Sequence, residues 1–263
     1  MSHHEFEWKA GDGLKIYAQA WEPDAQPKAV ISLVHGLSEH SGRFAWVAET
    51  LNQGGYAVIA SDLRGHGKSG GKRGHSPSFN AFMDDMALLL SETTARYPSL
   101  PCFLWGHSLG GILASNYVLR RKPQLSGVVI TSPGFRSAVG DQKMKIRLAS
   151  ILGKLLPEMS MPTGLDAKSI SRDPAVVERY VKDPLVHATA TLAMAKYTIE
   201  AIPYVYEHAS EWGLPLLLME VSPRGPDPTP VLWPVVQGGD GRPWADLSSL
   251  ALSGGLPDDF TLV

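Results

Sequence analysis

Apolar residues recur along this chain in two periods, and the places where one gives way to the other outline its elements. Residues 5–9 and 14–21 alternate apolar with polar around Gly11-Asp12-Gly13, which predicts an antiparallel hairpin. Ala29–Val34 is continuously apolar, as a strand buried on both faces must be. Phe44, Val47, Ala48 and Leu51 then fall at helical spacing, closed by Gly54-Gly55, so a helix is expected over 43–53. Tyr56–Ala60 gives the next buried strand and runs into a glycine-rich loop from Ser61 to Gly71. A helix is predicted over 78–96. Cys102–Trp105 forms a strand, Ile112, Leu113, Tyr117 and Val118 mark the helix after it, and Leu125–Thr131 is a further strand.

Strands alternating with helices imply a mostly parallel sheet covered on both faces, an α/β fold. In such sheets chemistry collects at the carboxyl ends of the strands, and three loops fall there: 35–43, 61–76 and 106–110. From Pro133-Gly134 to about Trp212 the period is helical alone. Met144, Leu148, Ile151, Leu152, Leu155 and Leu156 form one apolar stripe, and Val176, Val177, Tyr180 and Val181 a second. Leu214–Met219 then resumes the sheet. The division expected is a core of residues 1–133 and 213–219, a helical cap inserted over 134–212, and a tail over 220–263. The cap stripes either pack on the core or line an acyl chain or lipid surface.

The strand at 102–105 leads into Gly106-His107-Ser108-Leu109-Gly110, and a helix follows at once. Strand, sharp turn and helix are the setting in which G-x-S-x-G is a nucleophile elbow rather than an ordinary turn serine. Side chains at 106 and 110 would collide with neighbouring backbone. Ser108 is the candidate nucleophile. Acyl transfer needs two N–H donors aimed at the developing oxyanion. The backbone N–H of Leu109 supplies one, and that of Leu37, in the His35-Gly36-Leu37 loop after a buried strand, the other. His35 is expected to be a structural hydrogen-bonding group, because a base must reach Ser108 from a different loop. Gly67-Lys68-Ser69 invites a phosphate-binding reading, but the glycine that motif needs at position 62 is Asp62. His66 and Asp62 are expected to brace that loop.

Apolar residues make up 44% of the 263 and charged residues 19%, with a net charge of −2, so nothing favours a nucleic-acid partner. Cys102 is the lone cysteine, which excludes an intrachain disulfide. The amino terminus has no apolar signal-peptide core, and no apolar run reaches the ~18 residues of a membrane span, so a cytoplasmic location is expected.

The chain resembles the monoacylglycerol lipase and lysophospholipase group of α/β-hydrolases. The resemblance rests on Leu33-Val-His-Gly-Leu-Ser-Glu-His-Ser-Gly-Arg43, on Asp62-Leu-Arg-Gly-His-Gly-Lys-Ser69, on the elbow, and on Ser171–Val177 and Lys182–His187 in the cap. It covers about residues 5–219. It implies an α/β-hydrolase fold and a serine esterase or lipase for a small acyl ester such as a monoacylglycerol or lysophospholipid. It also implies no cofactor or metal, and transient membrane-surface contact through the cap. Glu39 and Arg43 match positions near the polar end of the family's pocket. Thioesterase and peptidase chemistry use the same parts.

The pattern breaks after the cap. In this family the triad runs Ser, Asp, His along the chain, the acid in a Gly-x-x-Asp-Arg turn after the resumed strand. Here that strand continues as Glu220-Val-Ser-Pro-Arg-Gly-Pro-Asp-Pro-Thr-Pro230, and no histidine follows His208. Residues 220–263 are about 30% Gly plus Pro, at the edge of the disordered class. No strand or closing helix is expected there. A shifted reading frame near codon 220 accounts for this: Arg224–Pro228 can be encoded so that a one-base shift reads Glu-Asp-Arg-Ile. Otherwise the triad is rebuilt from His187 or His208 with an acid such as Asp227, or the chain binds acyl ligands without turnover.

Overall fold

The computed structural model describes residues 1–136, 152–171, 173–221 and 230–235. Among the described residues eight strands, numbered along the chain, form one sheet in the order β1-β2-β4-β3-β5-β6-β9-β10, with β10 at Pro230–Val235. The hairpin of β1 (Ser2–Lys9) and β2 (Lys15–Glu22) lies antiparallel at one edge. β4 (Tyr56–Ser61), β3 (Ala29–Val34), β5 (Cys102–His107), β6 (Gly127–Thr131) and β9 (Leu216–Val221) are parallel neighbours.

Period-two alternation sends neighbouring residues of one strand into separate cores. Ile31, Leu33, Val58 and Ala60 pack with Phe44 and Ala48 on the face covered by α1 (Ala45–Gln53). Val30, Val34, Ala57, Ile59 and Leu104 face the other way, against α2 (Phe79–Arg96) and α3 (Leu109–Arg121). Ser78 caps α2 by accepting the Ala81 N–H at 3.1 Å. Every residue of α3 from Leu109 to Leu119 is buried, because α5 (Leu192–Glu207) covers the side of it that the sheet does not.

Within the insert, α4 (Pro174–Lys182) and α5 are the helices expected, but the segment is not all helical. β7 (Ser160–Pro162) and β8 (Thr189–Thr191) pair as a two-stranded antiparallel ribbon. Three residues are too few to show a period. Met144, Leu148 and Ile151 of the first stripe lie outside the described residues. Leu155 is 71% and Val181 65% exposed, and α4 buries none of its residues among those described. The stripe on α4 therefore covers no part of the core there.

A second correction concerns the tail. β10 (Pro230–Val235) pairs antiparallel with β9, where no strand was expected. The Gly and Pro content of residues 220–263 argued against order there, but an edge strand tolerates Pro230 and Pro234, since positions turned outward need no N–H partner in the sheet. Among the described residues no helix is long and apolar enough to cross a membrane.

Candidate active site

β5 delivers Ser108 to the carboxyl end of the sheet, and the turn into α3 is as tight as the motif requires. Ser108 holds φ 52° and ψ −116°, a region that residues with a Cβ rarely occupy. Its N–H donates to the Thr131 carbonyl at 2.9 Å, and its carbonyl accepts from Gly111 N at 2.9 Å, so both neighbours hold the strained residue. A Cβ on Gly110 would press on the Val34 carbonyl and lie 2.6 Å from that of His35. Glycine here lets the helix start against β3.

The Leu37 loop comes equally close. A Cβ on Gly36 would lie 3.0 Å from Ser108 Cβ and 2.7 Å from a Glu39 carboxylate oxygen. The structure thus brings Ser108, Leu109 at the N-terminus of α3, and the Gly36-Leu37 turn together. Glu39 Oε1 accepts the Gly36 N–H at 2.7 Å and its Oε2 accepts from Arg43 Nε at 3.2 Å. The Arg43 guanidinium lies 4.6 Å from the centre of the Tyr180 ring on α4. Glu39 and Arg43 therefore sit beside the loop, with their polar groups already engaged in holding it.

Behind this loop lies a buried polar scaffold. His35 Nδ1 donates to the Gly36 carbonyl at 2.7 Å, and its Nε2 accepts the Leu63 N–H at 2.9 Å. Burial holds the His35 pKa below its ordinary value against the pull of Asp62 and Glu39, so the ring stays neutral. Asp62 accepts from Ser41 N (2.7 Å), Ser41 Oγ (2.6 Å) and Lys68 N (2.7 Å). Arg64 forks onto Asp85 at 2.6 and 2.8 Å and reaches Asp12 at 2.8 Å. Burial raises the Asp85 carboxyl pKa, with Arg64 opposing. The bracing roles of His35 and Asp62 were legible in the sequence; the Arg64–Asp85 fork was not, because nothing local marks partners 21 residues apart.

All nine histidines fall within the described residues, and none hydrogen-bonds Ser108. His107 Nδ1 meets Thr131 Oγ1 at 2.9 Å, an oxygen that also accepts from Trp105 Nε1. His40 pairs with Asp183 at 2.8 Å, and His75 with Thr191 at 3.0 Å. His208 Nδ1 donates to the Tyr204 carbonyl at 2.9 Å, and its ring stacks on Tyr204 at 3.9 Å. Tyr204 in turn lies under Arg120, 3.4 Å from ring centre to guanidinium. Arg120 is twelve residues from Ser108, roughly 18 Å at the helical rise, so His208 is placed beside the far end of α3. His187 lies instead against the Leu37 loop, through a backbone bond to Ser38. Asp227 lies outside the described residues. Among the described residues no three His, Cys, Asp or Glu side chains are grouped to hold a metal ion.

A family model, Hydrolase_4, described as serine aminopeptidase S33, matches residues 25–221. The monoacylglycerol lipase of Mycolicibacterium smegmatis is 38% identical over 187 residues, which cover 71% of this chain and 65% of that protein. An uncharacterized abhydrolase domain-containing protein of Dictyostelium discoideum is 37% identical over 80% of this chain and 22% of its own length. The chain thus spans less than two thirds of both relatives. The solved structure of a monoacylglycerol lipase from Paleococcus ferrophilus superposes with a TM-score of 0.68 at 32% identity, covering 84% of this chain and 77% of that one.

Proposed function

The chain belongs to the Hydrolase_4 family, with the α/β-hydrolase fold and monoacylglycerol lipase-like serine hydrolases among its relatives, and we propose that it is a carboxyl-ester hydrolase scaffold acting on small acyl esters through Ser108. Monoacylglycerols and lysophospholipids are the substrate class this reading favours. The observation that carries it is the strained Ser108 at the N-terminus of α3, with the Gly36-Leu37 turn packed against it.

Ser108 Oγ attacks the ester carbonyl, and the N–H groups of Leu37 and Leu109 take the oxyanion. The alcohol then leaves, and water releases the acid from the acyl-enzyme. The proton of Ser108 is the weak link. No histidine stands against it, so attack proceeds without a positioned base, and turnover is expected on the order of 10³–10⁴ over water, as in dismantled triads. The specific observation favouring the second reading, an acyl-binding protein without turnover, is the same lack of a histidine. The match to the family model ends at Val221, next to the position where the reading frame is inferred to shift, and this supports a gene whose uninterrupted product carries the acid and base.

The test measures hydrolysis of p-nitrophenyl butyrate and a monoacylglycerol, labelling by a fluorophosphonate, and sequence through codon 220 of the gene. Slow turnover and labelling, both abolished by Ser108→Ala, are expected. Ordinary enzyme rates would overturn the missing-base reading, and acyl binding with no Ser108-dependent labelling would favour the second one.

A further inference from the structure

The insert touches the loop that carries Leu37 at a buried corner for which the proposed chemistry has no use. Ser38 follows Leu37, holds φ 69°, and accepts the His187 N–H on its carbonyl at 3.2 Å. The His187 ring packs on His66 with centroids 4.7 Å apart, and His66 on His35 at 5.5 Å. Among the described residues Ser38 Oγ, His66 Nε2 and both ring nitrogens of His187 are buried with no hydrogen bond of ordinary geometry. The chain around His187 is fixed on its far side as well, since Thr191 N donates to the Gly74 carbonyl at 2.9 Å. A neutral imidazole can occupy such a corner. An imidazolium, which brings two N–H donors and accepts nothing, cannot do so without an acceptor for each.

We infer that His187 is a positioning residue: its neutral ring, seated on His66, keeps its own backbone N–H on the Ser38 carbonyl and thereby the Leu37 N–H beside Ser108, and protonation of the ring releases the loop. The inference rests on Leu37 being an oxyanion donor. The groups that bear on His187 are His35 from the β3 loop and His66 and Arg73 from the 61–76 loop. Glu39, the carboxylate of the same β3 loop, is already held by Gly36 and Arg43. Burial lowers the His187 pKa, Arg73 and His35 act in the same sense, and only the Thr189 backbone opposes them. Burial likewise lowers His66, well below its ordinary value. The sign follows. The docked state binds fewer protons than the open one, so docking is complete above about pH 6.5, the free-histidine value, and weakens as pH falls through 6.5 toward the docked value.

Hydrogen exchange of the full chain tests this, read on peptides covering 36–40 and 183–189 from pH 8 to 5 and corrected for intrinsic rates. Below pH 6.5 the opening constant should rise about tenfold per pH unit for each proton taken up. His187→Phe and His187→Gln should each lower that slope by one proton, and the His187 ring signal in NMR should titrate together with loop opening. Equal slopes in wild type and variants, or a His187 titration unconnected with opening, would overturn the inference. Fluorophosphonate labelling across the same pH range separates the two readings. No labelling at any pH, with exchange still dependent on His187, rejects Ser108 as nucleophile and keeps the clasp.

Discussion

The loop that carries Leu37 is held from two sides built on opposite plans. On the body side, His35, Asp62, Arg64 and Asp85 are buried, and each polar group has a partner at hydrogen-bond distance. On the insert side, the His187 N–H donates to the Ser38 carbonyl, but α4 buries nothing among the described residues and meets the loop through a cation–π contact, Arg43 on Tyr180. The His40–Asp183 pair ties down the end of that helix. A buried polar network is costly to break, because whatever loses its partner stays out of water. Half-exposed contacts exchange with water at little cost. The body side can thus keep the loop in place through large changes elsewhere, while the half-exposed contacts of α4 can shift.

That contrast can be broken deliberately. Asp85→Ala strands the buried Arg64 with only Asp12, and should cost about 3 kcal/mol in urea unfolding; a loss under about 1 kcal/mol would show that the body side is no more rigid than the other. Tyr180→Ala removes the cation–π contact and should cost about 0.5–1 kcal/mol, while speeding proteolysis of the insert more than it lowers the Tm. Val181→Ser, on the exposed face of α4, should stay within about 0.5 kcal/mol of wild type. A larger loss there would mean that the face is covered in solution.

The legible parts of this protein were those in which a local pattern has one physical meaning. Ala29–Val34 could only be a strand buried on two faces, and the glycines around Ser108 could only be making room. Illegible parts depended on distant partners or on conformations no residue type announces. Ser38 and Ser132 hold positive φ where the sequence offers serine. The β7–β8 ribbon pairs Pro162 with Thr189, 27 residues further along the insert. Arg64 and Asp85, or His40 and Asp183, become partners only once the chain has folded. For the site, residue type and spacing marked Ser108, Leu109 and the Gly36-Leu37 turn, which the fold brings together; the sequence offered no base because no histidine follows His208, and none of the nine hydrogen-bonds Ser108.

The direction of β10 bears on that gap. The parallel strands all aim their carboxyl ends at Ser108, so a chain leaving any of them is delivered to the site. β10 runs the other way, with Pro230 opposite Val221 and Val235 opposite Leu216. Its course is outbound: Val235 lies one strand length, roughly 17 Å, from the end of the sheet that carries Ser108. A parallel strand in that place would reverse the flow and aim whatever follows it at the nucleophile. A six-residue strand, by its polarity alone, sets Val235 at the end of the sheet opposite Ser108.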